Sequence, residues 1–71
     1  MNKFNPRKLT LSKWTASAPI NREKHFIVTK LLCDEQGTPL QIELQAVYSG
    51  RTELLDWQVL RDENRWLMGW K

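Results

Sequence analysis

The chain has four tryptophans in 71 residues, and three of them, Trp57, Trp66 and Trp70, lie within the last fifteen residues. A chain of this length buries about 60% of its unfolded surface, so its stability is marginal. Disulfides cannot support it, because Cys33 is the only cysteine. One cysteine and one histidine are also too few for a structural zinc site. Large side chains must therefore fill the core, and we expect at least two tryptophans to be buried.

The four tryptophans receive different assignments from their surroundings. We expect Trp57 and at least one of Trp66 and Trp70 to pack in the core, because each lies in a regular apolar pattern. Trp14 has the least regular flanking pattern, which favours a surface position.

Short runs of alternating apolar and polar residues predict β-strands along most of the chain. The predicted strands cover residues 9–16, His25–Cys33, Leu40–Tyr48, Glu53–Trp57 and Arg65–Trp70. The second and third form a hairpin through a turn at Asp34–Pro39, and this is the best-defined feature of the chain. Ser17–Arg22 is predicted to be a connecting loop, Ser49-Gly50 a turn and Gln58–Arg61 a single helical turn.

Three of these segments carry more detailed predictions. A short helix is the alternative to the first strand, with Asn5 as its cap and Pro6 at its first position. Both faces of His25–Cys33 are partly apolar, which predicts a strand covered on both sides. One face is predicted to hold Phe26, Val28 and Leu32, and the other Ile27, Leu31 and Cys33. In the last strand one face is predicted to hold Trp66, Met68 and Trp70, with Gly69 as a candidate bulge.

These elements predict an all-β fold, either a small curved antiparallel sheet or an SH3-like barrel of four to five short strands with one short helical turn. Residues 1–8 are predicted to form a flexible basic N-terminal arm, and residues 9–71 a single small β domain. No apolar run approaches the ~20 residues of a membrane span, and the N-terminus has no signal-peptide pattern. We therefore expect a bacterial cytoplasmic protein without a membrane role, and the lone thiol fits a reducing compartment.

The residues needed for catalysis are nearly absent. His25 and Cys33 lie eight residues apart on one predicted strand, too far for the hydrogen bond of a nucleophile pair. Cys33 is expected to be buried and to behave as a small hydrophobic residue. His25 is expected to be a structural or partly exposed histidine. Gly37, Gly50 and Gly69 are too dispersed to form a phosphate loop. We expect no enzymatic activity, no cofactor and no metal.

Charge is distributed unevenly along the chain. The net charge is +3, but residues 1–30 hold seven basic residues and one acidic residue, whereas residues 31–71 hold four basic and seven acidic residues. This asymmetry is compatible with a polyanionic partner. A basic segment lying over an acidic body explains it equally well.

Several cations adjoin aromatic residues, which favours a binding surface for single-stranded RNA or DNA, with RNA preferred. The residues expected to contact phosphates are Lys13, Arg22, Lys24 and Arg51, and those expected to stack on bases are Trp14, His25 and Tyr48. The alternative is a protein-protein interaction module or a homodimer, because Trp, Tyr and Arg also dominate protein interfaces and an open sheet has edges that can pair.

Five segments of the chain resemble a family of small tryptophan-rich bacterial proteins of unknown function. They are L-T-L-S-K-W-T-A, R-E-K-H-F-I-V-T-K, L-Q-A-V-Y-S-G-R, L-D-W-Q-V-L-R-D and W-L-M-G-W-K. The resemblance covers about residues 5–71, and the combination of K-W-T, E-K-H-F and a terminal G-W-K is its most specific part. It implies a stand-alone bacterial protein of this length, and it brings no catalytic residue or cofactor.

Overall fold

Each strand of an antiparallel sheet places every second side chain on the same face, so alternating sequences build one buried face and one exposed face. The computed structural model describes all 71 residues. Its five strands are β1 Lys13–Ile20, β2 Glu23–Cys33, β3 Pro39–Ala46, β4 Thr52–Asp56 and β5 Trp66–Met68. Two 3-10 turns accompany them, at Pro6–Lys8 and Trp57–Arg61.

The strands form a single antiparallel sheet in the order β4-β3-β2-β1-β5. The all-β prediction is therefore confirmed, and of its two versions the structure shows the open sheet and not the closed barrel. The predicted helical turn at Gln58–Arg61 is present as the second 3-10 turn. The structure has no helix with the length and apolar character needed to cross a lipid bilayer.

One face of the sheet, named the core face, carries the hydrophobic core. The buried apolar side chains are Leu9, Trp14, Phe26, Val28, Ile42, Leu44, Ala46 and Leu60. Alternation in β3 places Ile42, Leu44 and Ala46 there. Trp57 and Trp66 also pack against this core, which confirms the expectation for these two tryptophans. The opposite side of the sheet is named the outer face.

Trp14 lies in the centre of the core with only 1% of its surface exposed, so the prediction of a surface position is wrong. Its indole N–H donates to the Ser12 hydroxyl at 2.9 Å, and the Phe4 ring meets it edge-on at 5.4 Å. The reason is tertiary, since residues before β1 fold over the core face and cover the ring. The irregular flanking pattern reflects a strand that begins only at Lys13.

Residues 1–8 pack along the core face. Phe4 contacts Trp57 as well as Trp14, with ring centres 6.1 Å apart. The Asn2 side chain donates to the carbonyls of Leu60 and Trp66 at 2.8 Å each. The Asn5 side chain caps the first 3-10 turn, as the helical alternative predicted. Mobility of this segment remains a prediction, and these contacts oppose it.

The first hairpin differs from the prediction for Ser17–Arg22, because β1 continues through Ile20 where a loop was expected. A two-residue turn at Asn21-Arg22 then joins β1 to β2, and both residues have positive φ, 56° and 64°. Asparagine tolerates this conformation, which matches the twist of a hairpin. The pairing of β1 with β2 shifts register between Thr15 and Ile20, which leaves room for Pro19 in the strand.

A β-bulge in β2 reverses the predicted faces of its second half. The register with β3 shifts between Val28 and Lys30, so Thr29 is the extra residue. Beyond it Leu31 pairs with Ile42 and packs against the core, whereas Leu32 is exposed. The prediction for these two leucines is therefore wrong, because one inserted residue exchanges the faces of the rest of the strand.

Gly69 similarly moves Trp70 away from the predicted face. Gly69 has φ 81°, a conformation that favours glycine. Trp66 stays on the core face, where its ring meets Phe26 edge-on at 5.1 Å. The Trp70 ring instead lies beside Lys13, on the outer face. Gly69 is thus the position where the chain turns back across the sheet.

Replacing Phe4 with alanine should lower the free energy of unfolding by about 2 kcal/mol, because a partly buried ring and its two edge-on aromatic contacts are lost. Urea denaturation followed by far-UV circular dichroism measures this. Lys3→Ala, at an exposed neighbouring position, is the control and should change stability by less than about 0.5 kcal/mol. Equal, small effects of both changes would show that residues 1–8 form a mobile arm.

Candidate nucleic-acid interface

Trp70 is the most exposed of the four tryptophans, with 44% of its surface accessible on the outer face. Its indole N–H donates to the Phe26 carbonyl at 3.0 Å, which fixes the ring against β2. Thr15 holds the C-terminal segment in place, because its hydroxyl donates to the Gly69 carbonyl and accepts from the Lys71 amide. A tryptophan held by its polar edge keeps its apolar rings available to a ligand.

His25 lies beside Trp70, with the ring centres 5.8 Å apart. Its Nε2 atom is 2.9 Å from the Lys71 carbonyl oxygen, within hydrogen-bond distance. β2 directs this side chain to the outer face, because its neighbour Phe26 points into the core. His25 therefore borders the tryptophan and helps to hold the C-terminal segment, in keeping with the expectation of a structural or partly exposed histidine.

Lys13 approaches Trp70 from β1. Its ammonium nitrogen lies 4.7 Å from the centre of the indole, a cation–π distance. Lys13 makes no ion pair with a carboxylate. A flexible ammonium group in this position can leave the ring and bind an anion, because an exposed cation–π contact is worth only about 0.5–1 kcal/mol.

Arg22, Lys24 and Tyr48 lie where β2 begins and β3 ends. The Val47 amide donates to the His25 carbonyl at 2.9 Å, so the turn after β3 adjoins the residues beside Trp70. Tyr48, in that turn, is 65% exposed, and its hydroxyl is 3.5 Å from an Arg22 Nη1 atom. Neither Arg22 nor Lys24 forms an ion pair. The structure thus brings cations and a second exposed ring to this end of the sheet.

Together these residues are named the aromatic-basic patch, in which Lys13, His25 and Trp70 lie on the outer face and Arg22, Lys24 and Tyr48 lie at the adjoining end of the sheet. Five of the seven residues expected from the sequence are in it. The sequence prediction omits Trp70, because it keeps Trp70 on the face of Trp66 and Met68 despite the candidate bulge at Gly69. The sequence does contain a signal for it, since Trp70-Lys71 repeats the pairing of tryptophan and lysine found at Lys13-Trp14.

Trp14 and Arg51, the other two expected site residues, serve different purposes. The Trp14 ring is buried on the core face and has no surface on which a base could stack. Arg51 is committed to two carboxylates, Glu23 through its Nε and Nη2 atoms and Glu53 through Nη1 at 2.6 Å. A guanidinium engaged on both sides is poorly placed to bind a phosphate.

Glu23 is one of two buried polar residues, and its carboxylate is fully engaged. Arg51 donates to both of its oxygens at 2.8–3.1 Å, and the Ser49 hydroxyl donates to Oε2. The Arg51 hydrogen bonds, followed by that of Ser49, lower the pKa of Glu23 below its ordinary value of 4.5, although burial opposes them. The hydrogen bonds to Glu23, followed by that to Glu53, raise the pKa of Arg51. This pair ties the start of β2 to the turn before β4.

The ion pair also borders a groove of about 270 Å³ on the core side of the sheet, where β1 and β2 separate. Phe26 and Trp66 line it together with Ala16. The carboxylate and guanidinium along its wall already satisfy each other. The groove therefore contributes to the packing of this end of the sheet, and it lies on the face opposite Trp70.

Cys33 ends β2 in an exposed position, so the expectation of a buried small hydrophobic residue is wrong. Cys33 lies beyond the Thr29 bulge, where few strands lie side by side in the sheet. Its partner on β3 is Pro39. No cluster of three or more His, Cys, Asp or Glu side chains is arranged to hold a metal ion.

The fold and the patch define a small all-β protein whose sheet has one face packed as a core and one that displays aromatic and basic side chains. Residues 12–71 match the model of the tryptophan-rich protein family DUF2389, so the chain belongs to that family. The match confirms the resemblance inferred from the sequence. No curated protein and no solved structure matches the chain significantly.

Replacing Glu23 with glutamine should lower stability near neutral pH and much less in acid. Because the folded-state pKa of Glu23 is depressed, its contribution is fully present above the unfolded value of about 4.5 and is lost as pH falls through the folded value. Urea denaturation of wild type and Glu23→Gln at several pH values, from neutral to acid, measures the difference in their free energies of unfolding. Glu35→Gln changes an exposed carboxylate without a side-chain partner and should leave the pH dependence unaltered. A difference between wild type and Glu23→Gln that is independent of pH would contradict this role.

Proposed function

We propose that this protein is a bacterial, cytoplasmic binding module, without enzymatic activity, that holds single-stranded RNA on its aromatic-basic patch. The observation that supports this most directly is the half-exposed Trp70 ring beside the free ammonium group of Lys13. An exposed aromatic ring with an adjacent unpaired cation suits a nucleotide, which offers a base to stack and a phosphate to neutralise.

Two rings are available for stacking. Trp70 presents its indole on the outer face, and Tyr48 is exposed in the turn beside His25. Stacking on an aromatic side chain is worth about 1–3 kcal/mol per base and requires that the base is unpaired. Two rings at one end of the sheet favour a short single-stranded segment over a duplex. In this proposal Lys13 leaves the indole for a phosphate when a base stacks on Trp70.

The cations of the patch are free to meet phosphates. None of the seven basic side chains in residues 1–30 forms an ion pair, since the ion pairs within the chain involve only the N-terminal ammonium group and Arg51. A basic segment neutralised by an acidic body would show such pairs. Their absence here favours a polyanionic partner over internal charge compensation.

The proposed compartment rests on Cys33. An exposed and unpaired thiol is stable in a reducing environment such as the bacterial cytoplasm. The alternative role as a protein-protein interaction module draws on the same exposed aromatic and arginine side chains. Binding measurements with RNA separate the two.

Titration with mixed-sequence single-stranded RNA should quench the intrinsic tryptophan fluorescence in a saturable way, because a base stacks on the exposed Trp70 ring. Raising the salt concentration should weaken binding steeply, since phosphate contacts release counterions. The same titration with duplex RNA is the comparison and should show much weaker binding. Unchanged fluorescence and unchanged anisotropy of a labelled RNA at low salt would overturn the proposal and direct the search to protein partners.

Replacing Lys13 with alanine should weaken RNA binding and reduce the salt slope of log K by about one, because one phosphate contact is lost. Fluorescence anisotropy of a labelled RNA at several salt concentrations measures it. Lys30→Ala is the matched control, because Lys30 is an exposed lysine opposite Glu43 and outside the patch. The slope of that variant should equal that of wild type. An equal loss in both variants would mean that only net charge matters.

Replacing Tyr48 with alanine should weaken RNA binding by about 5- to 150-fold, the equivalent of losing one stacked base. Tyr48→Phe retains the ring and should bind within about threefold of wild type, although it loses the contact with Arg22. Both changes are at an exposed position, so circular dichroism should show an intact fold. If Tyr48→Phe binds as poorly as Tyr48→Ala, the ring does not stack.

A further inference from the structure

β4 is an edge strand whose outer side has no partner in the sheet. The Ala46 amide donates to the Arg51 carbonyl at 2.8 Å, so these two opposite residues form a hydrogen-bonded pair. Such pairs alternate with non-hydrogen-bonded ones along an antiparallel ladder. Thr52 and Leu54, which lie opposite Gln45 and Glu43, therefore direct their backbone N–H and C=O groups away from β3. These groups can pair with another strand.

The two edges of the sheet differ in their protection. β5 has only three residues, and the chain turns across the sheet at Gly69 directly after it. β4 has five residues in an unbroken register with β3, and contains no proline or lysine. Proteins commonly guard exposed edges with bulges, prolines or lysines. β4 has none of these features, so it is the edge that can pair with another strand.

We propose that two copies of this chain pair through β4, in antiparallel orientation, with Leu54 opposite Leu54 of the second copy. A two-fold axis through a hydrogen-bonded pair must relate a residue to itself, and Leu54 is the central β4 residue whose backbone points outward. Its side chain is 55% exposed on the outer face, so pairing would bury two leucines against each other. The product is a continuous ten-stranded sheet.

The same register brings complementary polar groups together. Thr52 lies opposite Asp56 of the second copy, and its hydroxyl can donate to that carboxylate. Asp56 already accepts from the Gln58 amide through Oδ1 at 2.9 Å, and Oδ2 has no partner within the chain. A threonine opposite an aspartate is a favourable cross-strand pair, and the two-fold axis produces it twice.

Repulsion between acidic side chains does not oppose this register. Glu53 lies opposite Leu55 of the second copy, and its own carboxylate is neutralised by Arg51 at 2.6 Å. The other two-fold registers place Thr52, Glu53, Leu55 or Asp56 opposite itself, and each of them shortens the ladder. The registers centred on Glu53 or Asp56 also set two carboxylates side by side.

Cysteine cross-linking tests the register. In a Cys33→Ser background, Leu54→Cys should form an intermolecular disulfide under mild oxidation, since its Cα atoms would lie about 5.5 Å apart, within the range of a disulfide. Thr52→Cys is the matched control, because the same register separates its two copies by about 14 Å. Its yield of dimer should be at least about fivefold lower. Equal yields, or a higher yield for Thr52→Cys, would overturn the register.

Sedimentation velocity of the unmodified protein from micromolar to millimolar concentrations tests the dimer itself. The sedimentation coefficient should rise with concentration for wild type. Leu54→Lys should abolish this rise, because a lysine on an edge strand opposes pairing. Leu67→Lys places the same charge on the other edge strand and should leave the rise unchanged. A strict monomer at every concentration, or a rise that Leu54→Lys does not alter, would overturn the proposal.

Discussion

Burial of the Trp14 indole on one face of the sheet is the interaction on which the rest of the structure depends. A single layer of five strands has no second sheet or long helix to cover it, so a few large side chains must do so. Trp14 is the largest fully buried side chain, and its N–H is satisfied locally by Ser12. Phe4 and Leu60 close the core from segments far apart in sequence. Removing Phe4 would uncover part of the Trp14 ring, because the two rings meet edge-on at 5.4 Å.

Stability and the proposed binding are consequently separated between the two faces. Trp14, Trp57 and Trp66 contribute to the core, so the outer face is free to carry exposed residues without loss of the core. Trp70 is the exception, because its N–H anchors the C-terminal segment to β2 while part of its ring stays exposed. One tryptophan thus anchors the structure through its polar edge and keeps part of its apolar surface exposed.

The sequence could predict the features that depend on local alternation. β3 and its hairpin with β2 result from the clean pattern of Leu40–Tyr48, and the second 3-10 turn results from the break after Trp57. Single-residue irregularities defeat this reasoning. The Thr29 bulge and the Gly69 turn each reverse the face of the residues C-terminal to them. Thr29 does not alter the local composition, and Gly69 marks a candidate bulge without showing where Trp70 lies after it.

The candidate site was predictable only where it lies in regular strands. Lys13 and His25 are on the outer face because Trp14 and Phe26, their neighbours in the chain, are buried. The position of Trp14 itself depends on contacts with residues before β1, which no periodicity reveals. Arg51 binds a carboxylate because Glu23, 28 residues earlier in sequence, comes into contact with it. Such a long-range ion pair leaves no mark on the local sequence around Arg51.

The two proposals have a joint geometrical consequence. A two-fold axis perpendicular to the sheet keeps the outer faces of both copies on the same side. Strand spacing and register would then place the two aromatic-basic patches about 35–40 Å apart, since β3 and β4 of each copy lie between them and the patches are displaced along the strands in opposite directions from the axis at Leu54. One RNA strand could reach both, and the second contact would gain from effective concentration. A short footprint on each copy would then suffice for tight binding, and affinity would depend on RNA length in a way that a monomer does not allow.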